Sequence, residues 1–251
     1  MSLLDDAMRD LVIGNRILSN EGVVDAYGHI SVRHPEDPER FFLSRSLAPE
    51  FVGPEDIIEF GLDGEAADRD LRTPYIERFI HSAIYAARPD VMSVVHAHAE
   101  DTLPFGISQQ PLVPVIHSGA FIGGEVPVWD IAGAFGDETN LLVTNTAQGG
   151  DLAKRLGENP VVLMRGHGFA AAAASIVDVV RMSIYLPRNA RALIKGLQMG
   201  GVKPLSKGEI GARRGGGGYR PNSPETWRAW QYWAHRAGCG DMLPEGPRNA
   251  E

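Results

Sequence analysis

Two histidines separated by a single residue are the most specific indication of chemistry in this sequence of 251 residues. His96 and His98 belong to the apolar run VMSVVHAHA, residues 91–99, which predicts a short β-strand. Side chains two positions apart on a strand point to the same face, so both imidazoles can reach one metal ion through bonds of about 2.0–2.1 Å. The alternative is a pair of surface or core histidines at the end of a strand.

A third histidine strengthens the hypothesis of a metal site. His167 stands between two glycines in the stretch RGHGF, after the apolar strand candidate PVVLM. Glycine permits a sharp backbone turn and leaves space around the imidazole. Three histidines are the ligand set of a catalytic metal site that keeps one position open for substrate. We therefore predict one divalent metal ion per subunit, with Mn²⁺ or Zn²⁺ favoured and Fe²⁺ or Co²⁺ also compatible with these ligands.

A carboxylate, Glu77, is the fourth chemical candidate. It lies near the start of a helix predicted over residues 74–88, with Thr73 as the N-cap and Pro74 as the first helical residue. There it can act as a general acid or base on a substrate held by the metal. A structural explanation is also open, because the helix dipole favours an acid at this end and the i, i+4 pair with His81 is compatible with a surface contact.

Helices and short strands alternate along the chain and must position these groups. Apolar periodicity predicts helices over residues 3–20, 74–88, 147–158, 176–199 and 224–238. Short β runs predict strands around Ile30 and Val32 and over residues 41–46, 56–64, 91–99, 111–116, 125–131 and 160–164, and prolines in the runs 111–116 and 125–131 suggest edges or strand starts. Because the first two strands form a predicted hairpin, the pattern favours a mixed α/β fold around a mostly antiparallel sheet.

The composition predicts one acidic domain over residues 1–251, with a glycine-rich flexible segment at 200–224. A formal net charge of −8 argues against binding to nucleic acid or to anionic membranes. The sequence has neither an apolar run of membrane-spanning length nor a secretion signal. The single cysteine cannot form an intrachain disulfide, so a cytoplasmic location is the expectation.

The order of these motifs resembles the class II aldolase/adducin family. The match runs from GHISVR through the block IERFIHSAIYAARPDVMSVVHAHA to MRGHG, within about residues 5–200. The resemblance implies a three-layer α/β/α sandwich with a central, largely antiparallel sheet. It also implies that His96, His98 and His167 are the metal ligands and that Glu77 is the acid/base residue. A homotetramer with active sites at subunit interfaces is a further implication.

Three departures from the family pattern narrow the substrate. Sugar-phosphate aldolases hold phosphate with Gly-Asn-x-Ser, a Thr-Gly pair and serines before the glutamate. Here the first element reads GHIS, the second reads LSRS, and PYI precedes the glutamate. A planar carboxylate suits the replacements better, because Arg45 offers a bidentate fork and Ser44 and Ser46 add hydroxyl donors. His29 can give or take a proton near neutral pH.

Two further residues are candidates at the site. Tyr185 lies on the helix after His167, where the family often has a functional tyrosine, although a core position is the alternative. His117, in the stretch VIHSGAF, is a candidate for substrate binding, and a buried structural histidine is equally compatible.

The hypothesis is a metal-dependent carbon–carbon lyase that acts on a small carboxylate. The stretches FLSRSLAPE and GHISVR look closest to the hydroxypyridine-dicarboxylate and dihydroxyphthalate decarboxylases of the family. Decarboxylation of an ortho-hydroxy aromatic or pyridine (di)carboxylate is therefore favoured, with Glu77 or His29 as the proton donor. An aldolase for a non-phosphorylated hydroxy-keto acid and an Fe(II) oxygenase are the alternatives. A non-catalytic, adducin-like role is disfavoured because all three histidines are present.

Overall fold

The computed structural model describes residues 2–67, 70–215 and 223–246. In this part of the chain, a mostly antiparallel sheet of seven strands forms the middle layer. The strand order across the sheet is β3-β2-β1-β4-β7-β6-β5, and only the β5–β6 pair is parallel. The strands are β1 (His29–Arg33), β2 (Arg40–Ser44), β3 (Ile57–Gly61), β4 (Ser93–Ala97), β5 (Val128–Trp129), β6 (Val161–Met164) and β7 (Gly168–Ala173).

Helices cover both faces of the sheet. They are α1 (Leu3–Asn20), α2 (Arg78–Ala87), α3 (Leu103–Ile107), α4 (Ile131–Phe135), α5 (Thr146–Leu156), α6 (Ile176–Gln198), α7 (Lys207–Gly215) and α8 (Pro224–Arg236). Side chains of α1, α6 and α8 form one apolar core with the sheet, and those of α2 and α5 form a second core on its other face. The three-layer α/β/α fold is thus confirmed.

The alternation of side chains along β1 determines which residues point to each face of the sheet. Ile30 and Val32 pack into the core beneath α1 and α6, since neighbouring residues of a strand point to opposite faces. His29 and Ser31 therefore point toward α2, where they contact His81. The same alternation on β4 directs His96 to the α2 side of the sheet.

The helix that carries Glu77 begins later than the sequence predicts. Instead of starting a helix, Pro74 pairs with Arg45 in an isolated antiparallel bridge, and the backbone carbonyl of Thr73 accepts the N–H of Ser46 at 2.8 Å. This pairing extends the line of β2 and keeps the backbone out of the helical conformation. The prediction of a helix from residue 74 with Thr73 as the N-cap is wrong; the N-cap is Glu77.

Two predicted strands also differ from the structure. Residues 111–116 form no strand, because two of them are prolines without an N–H and the side chain of Asn189 instead accepts the N–H groups of Val115 and Ile116 at 2.9 and 3.3 Å. The strand predicted over residues 125–131 is reduced to Val128–Trp129.

The segment 200–224 contains an unpredicted helix, α7, and residues 216–222 of it lie outside the described part of the chain. Ser206 caps α7: its hydroxyl accepts the N–H of Glu209 at 3.2 Å, and the Glu209 carboxylate accepts the N–H of Ser206 at 2.7 Å. This capping box, SKGE, was readable in the sequence but stood among glycines. Within the described residues, no helix combines the length and apolarity needed to cross a membrane.

Candidate metal centre

Three imidazoles and one carboxylate converge at one end of the central strands. His96 is near the end of β4 and His98 directly follows it, while His167 lies in the tight turn between β6 and β7. Glu77 joins them from the N-terminus of α2. One ligand atom from each residue lies within 4.8 Å of every other, and the four residues are buried or half-buried.

The spacing of the imidazole nitrogens fits a single divalent ion. Nε2 of His98 lies 3.0 Å from Nε2 of His96 and 3.1 Å from Nε2 of His167. Two nitrogens bound to one ion at about 2.0–2.1 Å, with the angles of tetrahedral or octahedral coordination, lie roughly 2.9–3.4 Å apart. Nε2 of His98 has this separation from both other nitrogens, so the donor set fits a metal ion at this point.

A backbone carbonyl orients the most buried of the three rings. Nδ1 of His96 donates to the carbonyl of Phe169 at 3.0 Å. Phe169 is on β7, which pairs with β4 in antiparallel register. The hydrogen bond places the proton of His96 on Nδ1 and leaves the lone pair of Nε2 for a ligand bond, an arrangement typical of metal-binding histidines.

Gly168 allows the turn of His167 to approach β4. A Cβ at this position would lie 2.3 Å from the carbonyl oxygen of Ala97 and 3.0 Å from the ring of His98. A residue with a side chain would therefore push β7 away from β4, and His167 would move with it. The second glycine of the GHG motif is required by this close approach.

The protein environment favours the neutral form of His98 and His167. Burial and then the neighbouring His96 lower the pKa of His98 to about 4. Burial is also the main cause of the lowered pKa of His167. Neutral imidazole is the form that binds metal, so these rings are ready for coordination at neutral pH.

Glu77 is ionised in the same cluster. Burial alone would raise its pKa, but His96, His167 and the N–H of Val143 together lower the pKa to about 2. Its Oε2 lies 3.3 Å from Nε2 of His96 and 3.5 Å from Nε2 of His167, and its Oε1 accepts the Val143 N–H at 3.0 Å. The carboxylate can serve as a base beside the metal position or as a fourth ligand.

A cavity of about 370 Å³ opens over this cluster. His29 and Ser46, both predicted at the site, line it together with Tyr75, and so do Glu77, His98 and His167. Among the described residues that line it, none is arginine or lysine. Tyr75 was missed by the sequence analysis; its ring centroid lies 4.4 Å from that of His29, and its hydroxyl donates to the carbonyl of Leu47.

Ser44 and Arg45, both predicted to bind substrate, do not line this cavity. Ser44 is buried at the end of β2. Nε of Arg45 donates to the Asp56 carboxylate at 2.6 Å, and the arginine side chain is 39% exposed. The carboxylate of Asp56 is in turn held by the N–H of Gly53 at 2.9 Å. An ion pair along the chain thus occupies part of the guanidinium.

His117 and Tyr185 lie together in a second cavity, of about 440 Å³, on the α6–α8 side. The ring of Tyr185 is 6.1 Å from the ring of Trp233, centroid to centroid, and the guanidinium of Arg188 lies 5.2 Å from the tyrosine ring. Of the described residues that line this cavity, four are arginines: Arg181, Arg188, Arg213 and Arg228. Within one chain, therefore, neither predicted residue lines the cavity above the histidine cluster.

Comparison with known proteins agrees with this fold. The family described as class II aldolase and adducin N-terminal domain matches residues 9–194. The decarboxylase tropJ of Talaromyces stipitatus is 40% identical over 196 residues, which cover 73% of this chain and 74% of that protein. A 3,4-dihydroxyphthalate decarboxylase of Arthrobacter keyseri is 29% identical over 244 residues, covering 90% and 92%. The crystal structure of an aldolase II superfamily protein from Pseudomonas syringae superposes with a TM-score of 0.78 at 20% identity, covering 96% of each chain.

Proposed function

The chain belongs to the class II aldolase and adducin family, and we propose that it is a metal-dependent decarboxylase of an ortho-hydroxy aromatic or pyridine carboxylate. The observation that carries the proposal is the convergence of three imidazole Nε2 atoms beside one ionised carboxylate, at the floor of a cavity. The two relatives described above are both named decarboxylases. An ortho-hydroxy acid suits the site because its hydroxyl and carboxylate oxygens are adjacent.

His96, His98 and His167 would hold the metal ion. A divalent ion bound there would supply a Lewis acid that stabilises negative charge on an oxygen next to the reacting carbon. Mn²⁺ and Zn²⁺ are the ions that we propose, and Fe²⁺ and Co²⁺ accept the same ligands.

Glu77 would carry the proton. As a carboxylate, it accepts the proton of the ring hydroxyl, and it then delivers that proton to the carbon that bears the leaving carboxylate. The carbon–carbon bond breaks next, CO₂ leaves, and the electron pair of the broken bond passes through the ring to the oxygen. Because protonation precedes cleavage, no localised carbanion has to form on the ring.

His29, Ser46 and Arg45 are the proposed contacts to the rest of the substrate. His29 and Ser46 line the cavity directly. The ion pair with Asp56 uses Nε of Arg45, and the two terminal nitrogens of the guanidinium have no hydrogen bond to another described residue. They could therefore form a fork for a second carboxylate if the side chain turns toward the cavity.

We also propose a homotetramer in which active sites lie at subunit interfaces. Support comes from the distribution of cationic side chains: the metal cavity has no arginine among its described lining residues, whereas His117 and Tyr185 share a second cavity with four. A neighbouring subunit that presents this arginine-rich face would supply cations for an acidic substrate. Light scattering of the purified protein tests the oligomeric state directly.

The decisive experiment is an anaerobic assay of CO₂ release. A panel of hydroxylated benzene and pyridine carboxylates is incubated with the metal-free protein and after addition of each divalent metal. Metal-dependent release of CO₂ without oxygen would support the decarboxylase and exclude the oxygenase. Silence across the panel, with metal bound at one equivalent per chain, would overturn the proposal in favour of an aldolase acting on hydroxy-keto acids.

A further inference from the structure

A continuous chain of hydrogen bonds runs from the metal cavity into the protein interior. Nδ1 of His29 lies 2.7 Å from Nε2 of His81, and Nδ1 of His81 lies 2.6 Å from Oγ of Ser31. The hydroxyl of Tyr85 closes the chain at 2.7 Å from the same Ser31 oxygen. All four side chains are buried, and His81 and Ser31 have no exposed surface.

In the 2.7 Å contact between Nδ1 of His29 and Nε2 of His81 one nitrogen must accept the hydrogen bond, so the two rings are not both cationic. Burial, followed by the nearby His96, lowers the pKa of His81 to about 3. A neutral imidazole has one donor nitrogen and one acceptor nitrogen, and the hydrogen bond at one of them fixes the role of the other.

The two buried hydroxyls, of Tyr85 and Ser31, decide the direction of the chain. Among the described residues, its side-chain hydrogen-bond partner is Ser31, so its O–H is satisfied by donating to that oxygen. Ser31 then donates to Nδ1 of His81. If Nδ1 of His81 donated to Ser31 instead, the O–H of either Tyr85 or Ser31 would have no acceptor among the described residues, and an unpaired buried donor disfavours that arrangement by roughly tenfold or more.

We infer that Tyr85, Ser31 and His81 are positioning residues that hold His29 in the tautomer with its N–H on Nε2, as a hydrogen-bond donor to the cavity. In this tautomer His81 donates from Nε2 to Nδ1 of His29. Nε2 of His29 has no hydrogen bond to another described residue, and the ring lines the metal cavity. Its N–H is therefore available to a bound molecule.

This tautomer determines which groups His29 can bind in a substrate. That interpretation rests on the proposed function. A neutral imidazole with N–H toward the cavity pairs with an acceptor, such as a carboxylate or phenolate oxygen, and it cannot accept a proton at that atom. His29 thus binds and orients an anionic oxygen, while Glu77 moves the proton. The site would discriminate against a substrate that presents a donor group, such as an amino group, to His29.

The tautomer can be measured without any substrate. Two-bond ¹H–¹⁵N spectra of the full chain, labelled with ¹⁵N-histidine and supplied with diamagnetic Zn²⁺, report which ring nitrogen carries hydrogen, and loss of signals in His29→Gln and His81→Gln assigns the two rings. We expect hydrogen on Nε2 and a bare Nδ1 in both. Hydrogen on Nδ1 of His29, or on both of its nitrogens, would overturn the inference. Neither result depends on whether the protein is a decarboxylase.

Ser31→Ala tests the positioning role, and Ser93→Ala is its matched control. Ser93 is also a buried serine, but its hydroxyl donates to the backbone carbonyl of Ser31 at 2.6 Å and contacts neither imidazole. In Ser31→Ala we expect a mixture of His29 tautomers and, on an active substrate, a KM about threefold to tenfold higher. Tyr85→Phe should shift the tautomers less, because Ser31 can still donate to His81. A single tautomer and an unchanged KM in Ser31→Ala would refute the positioning role.

Discussion

Nε2 of His98 lies 3.1 Å from Nε2 of His167, although 69 positions separate the two residues in the chain. The antiparallel pairing of β4 with β7 produces this proximity, because it sets Ala97 opposite Phe169. A metal ion that binds both neutral imidazoles would stabilise them at this distance. The proposed metal site thus depends on the strand register as well as on the three histidines.

Loss of one imidazole should abolish stoichiometric metal binding. In His167→Ala we expect metal affinity to fall by more than about 100-fold, since even residues that only support ligands contribute 10–100-fold. The increase in Tm that added metal gives the wild type should disappear with it. Metal analysis after dialysis and thermal unfolding with and without Zn²⁺ measure both effects. His235→Ala, which removes an exposed histidine on α8, should retain full metal; retention in His167→Ala would contradict the site.

Glu77→Gln separates proton transfer from metal binding. The glutamine can keep the hydrogen bond from the Val143 N–H through its carbonyl oxygen, so the fold should be preserved. It cannot accept a proton, and we expect kcat to fall about 10²–10⁴-fold, the usual contribution of general acid–base catalysis. Metal content and kcat are measured on the same preparation. If the metal is lost together with the activity, Glu77 is a ligand and another group carries the proton.

The convergence of the three proposed metal ligands could be predicted from the sequence, whereas their surroundings could not. His-x-His on a strand and Gly-His-Gly in a turn are local patterns whose geometry follows from a few residues. The start of α2 depends instead on the pairing of Pro74 with Arg45, a contact between distant segments that overrides a good local helix signal. The partnership of His29 with His81 depends in the same way on how α2 packs against β1. The ion pair of Arg45 with Asp56 is likewise a tertiary contact, and it engages Nε of the arginine that the sequence predicts to bind substrate.

Gly168→Ala should destabilise the protein and disrupt the metal site together. The added methyl group would stand 2.3 Å from the Ala97 carbonyl oxygen, so the backbone must shift, at a cost of about 1–3 kcal/mol in the free energy of unfolding. The matched control is Gly133→Ala in α4, where a Cβ meets nothing within 4 Å, and there the higher helix propensity of alanine should be neutral or stabilising. Chemical denaturation and metal analysis compare the two. Equal stability and equal metal content in both variants would show that the β4–β7 approach tolerates a side chain.

The buried His81 should make the protein less stable in mild acid. Its pKa is about 3 in the folded chain, against an ordinary value of 6.5, so between these values the unfolded chain binds more protons than the folded one. The contribution of His81 to the free energy of unfolding is then constant above about pH 7.5. It falls with decreasing pH by up to about 1.4 kcal/mol per pH unit. At pH 5 the loss attributable to His81 is about 2 kcal/mol.

Urea denaturation at pH 7.5 and pH 5 measures this loss in the free energy of unfolding. EDTA is present so that metal release does not contribute. His81→Gln should be less stable at pH 7.5 because it breaks the bond to Ser31, yet it should lose about 2 kcal/mol less than the wild type on acidification. An equal loss in both proteins would mean that His81 takes up its proton in the folded state as readily as in the unfolded one.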